Sequence, residues 1–315
     1  MKILITGGGG FQGSHLAEFL LQSGHSVSVL NTYSENSKAN LENILDKLNL
    51  IWGSVTDREI VDKSVRGHDV VFHLAGHINV DESLEDPLIF IEANIFGTYN
   101  VLEAVKKHRN RMILASTCEV YGDGHDLRER GILNETAELK PNSPYAASKA
   151  GADRLSYSYY KSYDLNVTIV RCFNVFGERQ KSGQFGALIS IMVAKAMRGE
   201  DLVIFGDGNA NRDYSYISDI VRAYGMVLDN NDKLRGKVIN FASGQNTSVK
   251  DIANYIANKF NVKVTHGPAR PGEATRFPAD TSFAKSLGHS PKVSIWEGIN
   301  RYIEWAKQNT IITPK

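Results

Sequence analysis

The sequence predicts an α/β fold with a doubly wound parallel sheet and a smaller C-terminal lobe. Nearly continuous apolar runs alternate with amphipathic runs through the first half of the chain, and a cluster of glycines follows the first apolar run. Parallel strands that are buried on both faces have such apolar runs, and strand–helix alternation gives right-handed βαβ units. We therefore expect a Rossmann-type sheet in this half of the protein.

Six apolar runs are the predicted strands: Lys2–Thr6, Ser26–Leu30, Leu50–Trp52, Val70–Ala75, Arg111–Ser116 and Val167–Cys172. The helices predicted between them are Ser14–Ser23, Asp57–Arg66, Pro87–His108 and Tyr145–Tyr163. After about residue 175 the alternation loosens, and helical patterns follow at Gly186–Arg198, Ser218–Leu228, Ser248–Phe260 and Ser294–Gln308. The last helix begins with a capping box, and we expect it to pack on the body through Ile295, Ile299, Tyr302, Ile303 and Ala306.

The composition is that of an ordinary globular protein. Of 315 residues, 42% are hydrophobic and 23% charged, and 36 Lys and Arg residues against 35 Asp and Glu residues leave a net charge of +1. An anionic partner must therefore be bound by local cations, which argues against a dedicated nucleic-acid-binding protein. The two cysteines exclude a disulfide framework, and neither has the Cys/His spacing of a metal site. The start MKILITGGGG is too short for a signal peptide, and no apolar run reaches the ~18 residues of a membrane helix. We expect a soluble, cytoplasmic protein.

The glycine cluster follows the first predicted strand and opens the first predicted helix. Gly7, Gly10 and Gly13 form a G-x-x-G-x-x-G motif, which lets the backbone turn sharply and lets helical N–H groups approach a pyrophosphate. A Walker A loop would need Lys after the last glycine, where this chain has Ser14. The motif predicts a dinucleotide-binding domain over residues 1–175 and about 214–245. The remainder, about 176–213 and 246–315, is predicted to form the second lobe.

Asn31 ends the second predicted strand, eighteen residues after Gly13. An acidic residue at this place normally binds the adenosine ribose of NAD and repels the 2′-phosphate of NADP. Asn31 can still bind a ribose hydroxyl but lacks that charge, and no Arg lies nearby, although Lys38 does. The sequence favours NAD and leaves NADP as the alternative.

Two further motifs contain candidate catalytic residues. Tyr145 and Lys149 form Y-x-x-x-K, and this spacing places both side chains on one face of a helix. A tyrosine has a pKa near ~10 and is a poor base unless an adjacent cation stabilises its phenolate. Thr117 and Glu119 follow the fifth predicted strand, at the sheet edge where open α/β proteins bind their ligands.

With these motifs the chain resembles the extended short-chain dehydrogenase/reductases of the nucleotide-sugar epimerase/dehydratase family. The resemblance covers nearly the whole length. The motifs that carry it are TGGGGFQG, HLAG at 73–76, Asn94 in EANIFGT, STCEVYG, SPYAASK, RCFNVFG at 171–177, GDGNANRDYSYISD at 206–219 and RPGE at 270–273.

The resemblance implies roles for individual residues. Tyr145 would take the proton of the sugar 4-hydroxyl while C4 gives a hydride to the nicotinamide, Thr117 would hold that oxygen, and Lys149 would bind the nicotinamide ribose and lower the pKa of Tyr145. Asn174, Arg212 and Arg270 would bind the diphosphate of a nucleotide sugar, and His77 would also contact the substrate. The implied cofactor positions are Gly7, Gly10, Phe11, Gln12, Gly13, Asn31, Ser54, Val55, Leu74, Ala75, Asn94, Ser116, Tyr145 and Lys149. Ser54 replaces the usual Asp of the family beside the adenine.

Glu119 separates the reactions of the family. Epimerases usually carry a small or hydroxyl residue there, whereas a carboxylate resembles the base that removes the C5 proton in dehydratases and decarboxylases. The sequence therefore favours a nucleotide-sugar dehydratase of the 4,6- or 5,6-type. The alternatives are a 4-epimerase for UDP-glucose or UDP-GlcNAc and, after these, a UDP-glucuronate decarboxylase or a non-catalytic NAD-binding sensor.

Cys118 stands where dTDP-glucose dehydratases have the Asp that protonates the leaving hydroxyl. It is either a catalytic acid or a small packed residue, and Cys172 is predicted to be core. Family members commonly pair two long helices, here Pro87–His108 and Tyr145–Tyr163, across a two-fold axis, so a homodimer is expected. Leu155, Tyr159 and Tyr163 could form that contact or belong to the core.

Overall fold

The computed structural model describes residues 1–122, 132–183, 186–230, 232–268 and 278–309. We number its strands β1–β13 and its helices α1–α12 in chain order. The central sheet consists of seven parallel strands: β1 Lys2–Thr6, β2 Ser26–Asn31, β3 Asn49–Trp52, β4 Val70–His73, β5 Arg111–Thr117, β6 Val167–Cys172 and β11 Val238–Phe241. Their spatial order is β11-β6-β5-β4-β1-β2-β3, with the chain leaving β1 in opposite directions toward β2 and β4. A ligand crevice is expected at the carboxyl ends of the strands where the order reverses. The predicted fold class and all six predicted strands are confirmed.

The helices are α1 Phe11–Gln22, α2 Glu35–Leu41, α3 Arg58–Val65, α4 Val80–Glu85, α5 Pro87–Phe90, α6 Gly97–His108, α7 Pro144–Tyr163, α8 Leu188–Met197, α9 Ile217–Asp229, α10 Val249–Phe260, α11 Ser282–Ser286 and α12 Ile295–Gln308. Alternate residues of β1 lie on opposite faces of the sheet. Ile3 and Ile5 pack in the cluster with α1 and α9, while Leu4 packs in the cluster with α3, α6 and α7. The sheet is therefore covered on both sides, as its apolar strands predict.

The predicted helix 87–108 is not a single α-helix. Asp86 caps its start by accepting a hydrogen bond from the Leu88 N–H, and α5 then passes through a π-helical turn, Ile91–Phe96, into α6. The span 87–108 is long and apolar enough to cross a membrane by length and composition alone, with a mean hydropathy of 1.2. Half of it is buried inside the protein, which is typical of a core helix.

The C-terminal part adds three small two-stranded sheets and a second apolar core. The strand pairs are β7 Val175–Phe176 with β10 Ser215–Tyr216, β8 Leu202–Phe205 with β13 Val264–Gly267, and β9 Asn211–Asp213 with β12 Asn246–Ser248. Ser294 caps α12 as expected, because its hydroxyl accepts the Glu297 N–H at 3.2 Å, and the five predicted apolar residues of this helix are buried. The predicted division of the chain into two domains stays a prediction.

Candidate active site

The glycine loop joins β1 to α1 at the middle of the sheet. Gly7 has φ +74°, and its carbonyl accepts the Gly10 N–H at 3.0 Å. A Cβ at Gly13 would lie 2.3 Å from the Gly7 carbonyl oxygen, so only glycine allows the helix to pack this closely on the loop. A Cβ at Gly10 would meet only that oxygen, at 3.2 Å, which leaves the outer face of the loop open. Within the described residues no side chain caps the N-terminus of α1, and its first turn has no acidic residue, as suits a phosphate group.

Asn31 supports this loop from the end of β2. Its side-chain oxygen accepts the Gly9 N–H at 3.0 Å, and its amide nitrogen donates to the Ser37 hydroxyl at 3.0 Å and to the Thr32 carbonyl at 2.6 Å. Both amide hydrogens are thus used inside the protein, and only the oxygen retains hydrogen-bonding capacity. The contact of Asn31 with a ribose stays a prediction.

Other predicted cofactor residues lie along the same edge of the sheet. Gln12 turns its side-chain oxygen inward, where it accepts the Tyr224 hydroxyl at 3.1 Å. Val55 is buried, and the hydroxyl of Ser54 lies 2.8 Å from that of Thr56. Further members of this edge are Phe11 in α1 and Leu74 and Ala75 after β4, which ends two residues earlier than predicted because the chain turns there to meet Gly7.

Asn94 lies in the π-helical turn and is buried. Its side-chain oxygen accepts the His77 N–H at 2.9 Å, and its amide nitrogen donates to the His77 carbonyl at 3.0 Å and to the Ser148 hydroxyl at 2.8 Å. These bonds tie the loop after β4 to α7 and fix the backbone of His77, whose side chain is exposed. The Phe90 ring contacts both His77 and Tyr145: its centroid lies 5.3 Å from that of the His77 ring and 6.2 Å from that of the Tyr145 ring.

The predicted catalytic residues converge where β5 ends beside the start of α7. Thr117 is the last residue of β5, and Cys118–Tyr121 form a 3-10 turn that carries Glu119. The hydroxyl of Thr117 accepts the Glu119 N–H at 3.3 Å and also forms a hydrogen bond that lowers the pKa of Tyr145. Burial nevertheless raises the pKa of Tyr145 above its ordinary value, and the Glu119 carboxylate raises it further. The Tyr145 hydroxyl is therefore protonated at neutral pH in this state.

Lys149 is buried one turn after Tyr145. Its ammonium group donates a hydrogen bond to the Ala115 carbonyl at 2.5 Å, and burial lowers the pKa of Lys149 to about 8. The groups that lower or raise the pKa of Tyr145 here are Thr117, Glu119 and the thiols of Cys118 and Cys172. The expected effect of Lys149 on Tyr145 stays a prediction.

A cavity of about 190 Å³ lies beside this site and includes Asn174 and Arg212 in its wall. Asn174 adopts φ +26° and donates a hydrogen bond to the Asp213 carbonyl at 3.1 Å. The buried Asp213 carboxylate accepts the Ser243 N–H at 2.7 Å and the Gly244 N–H at 2.8 Å, which fixes the strand that carries Arg212. The sequence analysis missed Asp213, although it stands in the quoted motif. Arg270 and the motif 270–273 lie outside the described residues.

The sequence model of a protein family described as GDP-mannose 4,6 dehydratase matches residues 4–302 of this chain. The chain belongs to this family. The match confirms the resemblance to the extended short-chain dehydrogenase/reductases that act on nucleotide sugars. Members of the family are NAD-dependent enzymes, among them dehydratases, epimerases and decarboxylases.

Similar proteins include members with each of these reactions. The dTDP-glucose 4,6-dehydratase of Streptomyces niveus is 34% identical, covering 98% of this chain and 94% of that protein. The UDP-N-acetyl-alpha-D-glucosaminuronate decarboxylase of Bacillus cytotoxicus is 32% identical, covering 98% of each. The structure of the Thermus thermophilus UDP-glucose 4-epimerase in complex with NAD is 29% identical and superimposes with a TM-score of 0.88, covering 98% of this chain and 99% of that one. The predicted cofactor agrees with the one in that structure.

Cys118 differs from the Asp that the resemblance places at this position in dTDP-glucose dehydratases of the family. Its side chain is buried in an apolar cluster with Val120, Leu133 and Phe173. Burial raises the pKa of the Cys118 thiol far above its ordinary value, and the Glu119 carboxylate raises it further. Such a thiol is a poor proton donor at neutral pH, so the geometry favours the packed alternative. Cys172 is buried in β6, as expected of a core residue, and burial raises its pKa to about 12.

Proposed function

We propose that this protein is an NAD-dependent nucleotide-sugar dehydratase in which Glu119 removes the C5 proton of the sugar. The observation that carries the proposal is the position of Glu119. It stands in the turn immediately after Thr117, and its carboxylate is close enough to raise the pKa values of both Tyr145 and Cys118. The Glu119 carboxylate thus lies beside Tyr145, the residue proposed to act on the C4 hydroxyl.

The glycine loop fits NAD, since the open face at Gly10 and the uncapped start of α1 suit its pyrophosphate. The adenosine half of NAD would lie against Asn31, Ser54, Val55, Leu74 and Ala75. The nicotinamide half would lie against Ser116, Tyr145 and Lys149. When bound, NAD supplies a reversible acceptor for the hydrogen of sugar C4. The absence of Arg near Asn31 supports NAD over NADP.

The chain's own residues would act in order along the sugar. Tyr145 takes the proton of the 4-hydroxyl at its phenolic oxygen as a phenolate, the form that the Lys149 ammonium would stabilise with NAD bound. The Thr117 hydroxyl holds the sugar oxygen through a hydrogen bond. The resulting 4-keto group acidifies the C5–H bond, so that the Glu119 carboxylate can remove this proton and pass it to the C6 hydroxyl, which leaves as water. The hydride taken from C4 ends on C6 in the 4,6-type reaction, where C5 takes a proton from solvent, and returns to C4 in the 5,6-type. Arg212 and Asn174 would hold the diphosphate at the cavity.

The 4-epimerase is the second candidate, because a relative of similar identity carries out that reaction. An epimerase needs C4 oxidation and rotation of the keto sugar, and its C5 hydrogen never leaves. Glu119 would then only position a sugar hydroxyl. The decarboxylase differs in releasing carbon dioxide from a substrate that carries a C6 carboxylate.

A panel of UDP-, dTDP-, GDP- and CDP-sugars, each incubated with the protein and with NAD or NADP, separates these candidates by mass spectrometry. Loss of water from a substrate supports the dehydratase. Loss of carbon dioxide identifies a decarboxylase, and an unchanged mass with an altered NMR spectrum identifies an epimerase. Either of the last two results contradicts the proposal.

Replacement Glu119→Gln tests the role of the carboxylate once the substrate is known. An amide of the same size cannot accept a proton at neutral pH, so we expect release of water to fall by about 10²–10⁴-fold while the nucleotide sugar still binds. In deuterated water the native protein should place deuterium at C5 and the variant should not. Glu59→Gln, on the exposed face of α3, is the control and should behave as the native protein. Complete absence of deuterium at C5 with the native protein, together with no loss of water from the substrate, would identify the epimerase.

A further inference from the structure

Three consecutive residues of β5 each contact a different turn of α7. The Thr117 hydroxyl bonds to Tyr145, the Ala115 carbonyl accepts the Lys149 ammonium, and the Ser116 hydroxyl donates to the Asp153 carboxylate at 2.8 Å. The first two contacts involve the proposed catalytic residues. The third involves Asp153, which lies one turn beyond Lys149 and has no part in the proposed chemistry.

Asp153 is bound by a buried guanidinium from β6 and also by the exposed Arg154 of α7, whose Nε donates to the carboxylate at 3.0 Å. Arg171 Nε lies 2.9 Å from one carboxylate oxygen of Asp153 and Arg171 Nη2 lies 3.0 Å from the other. Asp153 is 0% exposed and Arg171 1% exposed. The remaining guanidinium nitrogen donates to the Tyr121 hydroxyl at 2.8 Å, and that hydroxyl donates to Asn240 of β11 at 2.7 Å. One ion pair therefore joins β5, β6, β11, α7 and the turn that carries Glu119.

Desolvation makes such a pair costly, and replacement of a buried pair by apolar residues is often neutral or stabilising. A pair kept at this cost next to reacting groups suggests a role other than stability. Among the described residues, the titratable or charged groups that face Lys149 are His73 on β4, Cys172 on β6 and Asp153. Burial lowers the pKa of His73 to about 3 and raises that of Cys172 to about 12, so both are neutral and Asp153, paired with Arg171, supplies the negative charge.

We propose that Asp153 and Arg171 are positioning residues that hold the end of β5 in register on α7. The bidentate geometry fixes the carboxylate, the carboxylate fixes Ser116, and Ser116 fixes the neighbouring Thr117 against Tyr145. The same carboxylate opposes the effect of burial on Lys149 by raising the pKa of that residue. The kinetic part of this inference rests on the proposed function, whereas its structural part does not.

The test compares the full-length native protein with the double variant Asp153→Leu/Arg171→Met, which removes both charges without leaving either of them buried alone. Tyr121→Phe is the matched control, because it removes two buried hydrogen bonds of the same cluster and keeps both charges. Three quantities are measured: amide hydrogen exchange of residues 115–119, NAD affinity between about pH 6 and 10, and kcat and KM.

We expect the double variant to fold and to exchange amide hydrogens at 115–119 at least about tenfold faster than the control. Its NAD affinity should decline with rising pH at least about one unit earlier than in the native protein, whose Lys149 loses its charge near pH 8. Its kcat should fall at least about tenfold with KM nearly unchanged. Tyr121→Phe should keep the native pH dependence.

Native exchange, native pH dependence and native kcat in a folded double variant would show that the pair is only structural. If the double variant does not fold, Ser116→Ala removes the hydrogen bond to Asp153 and keeps both charges. Its amide exchange at 115–119 and its kcat are then judged by the same outcomes. If even the native protein binds no NAD, the proposed function is wrong, and hydrogen exchange at 115–119 alone then decides the inference.

Discussion

Proton transfer in the proposed reaction depends on one hydroxyl, that of Tyr145. Tyr145→Phe removes this hydroxyl but keeps the ring that packs against Phe90. We expect kcat for oxidation at C4 to fall by about 10²–10⁴-fold, since the oxygen that accepts the proton is missing, while NAD affinity and melting temperature stay as in the native protein. Tyr157→Phe on the same helix is the control and should retain full activity. Near-native turnover of Tyr145→Phe would contradict oxidation at C4.

The buried charge of Lys149 should lower the free energy of unfolding of the protein. Its pKa in the folded protein is about 8 against an ordinary value of 10.5, so the folded state binds this proton less tightly than the unfolded state does. The shift corresponds to about 3 kcal/mol of unfolding free energy. This cost is fully present below about pH 8 and disappears as the pH rises from there toward 10.5.

We therefore expect Lys149→Met to unfold at a higher urea concentration than the native protein at about pH 7, with the difference shrinking by about pH 9.5. Lys161→Met, at an exposed position of the same helix, should change little at either pH. A variant that is less stable than the native protein at neutral pH would show that the hydrogen bond to Ala115 outweighs the cost of burying the charge.

Single residues with a local pattern could be predicted from the sequence, whereas residues that act through distant contacts could not. Tyr145 and Lys149 stand four apart on one helix, and Thr117 ends a strand at the expected edge, so the three were predicted to meet. In the sequence Arg171 is one residue of a predicted strand, and the ion pair that it forms depends on Asp153, eighteen residues earlier. The position of Asp153 one turn after Lys149 was the one local signal that could have drawn attention to it.

At the scale of elements, the glycine loop allows the effect of a side chain on folding to be separated from its effect on the ligand. Gly13→Ala should destabilise the protein, because the new Cβ would lie 2.3 Å from the Gly7 carbonyl oxygen. Gly10 has φ −78°, which alanine also adopts, and its Cβ would extend from the open face of the loop. The Gly10 Cβ would still lie 3.2 Å from the Gly7 carbonyl oxygen, so Gly10→Ala should lower the melting temperature far less than Gly13→Ala and weaken NAD binding at least about tenfold. Equal losses of stability in the two variants would contradict this assignment of the two faces.

The π-helical turn shows where an element escapes prediction. The apolar pattern of 87–108 predicts one continuous helix, and nothing in it marks the extra residue of a π turn. The Asn94 side chain of this turn bonds to His77 and Ser148, which are distant in the sequence, whereas the bond from the Thr98 hydroxyl to the Asn94 carbonyl at 2.5 Å is local to the helix. Such turns are frequent at functional sites, and here the turn brings Asn94 to the loop after β4.

At the scale of the whole molecule, six strands of the central sheet were predictable, whereas its seventh strand, β11, and the small sheets of the C-terminal part were not. The strands β1–β6 are apolar runs that alternate with helices, so length and pattern agree. The strands β7–β13 have two to four residues each and lie where this alternation has loosened, so that no pattern marks them. Their positions depend on contacts such as those of Asp213 with the backbone at 243 and 244.

The homodimer expected from the resemblance has a candidate surface on α6 and α7. Phe96 is 56%, Tyr99 38% and Tyr163 54% exposed, which is unusual for large apolar or aromatic side chains. Phe96, Tyr99 and Glu103 are spaced to share one face of the helical segment, and Glu103 accepts a hydrogen bond from Tyr159 of α7. Of the three predicted residues, Tyr159 is buried and Leu155 packs partly buried against the core, whereas Tyr163 is exposed and available for a contact with a second copy.

We expect a dimer when the mass of the native protein is measured by light scattering at micromolar concentration. Phe96→Glu places a charge in the centre of the exposed aromatic surface, and burying this charge against a second copy without a partner would cost several kcal/mol. The variant should therefore be a monomer that keeps the native melting profile of its secondary structure. Val203→Glu is the control, because Val203 is similarly exposed at 39% but lies on β8, in the second apolar part of the protein, and it should stay dimeric. A monomeric native protein, or a Phe96→Glu variant that is still a dimer, would show that this face is not the interface.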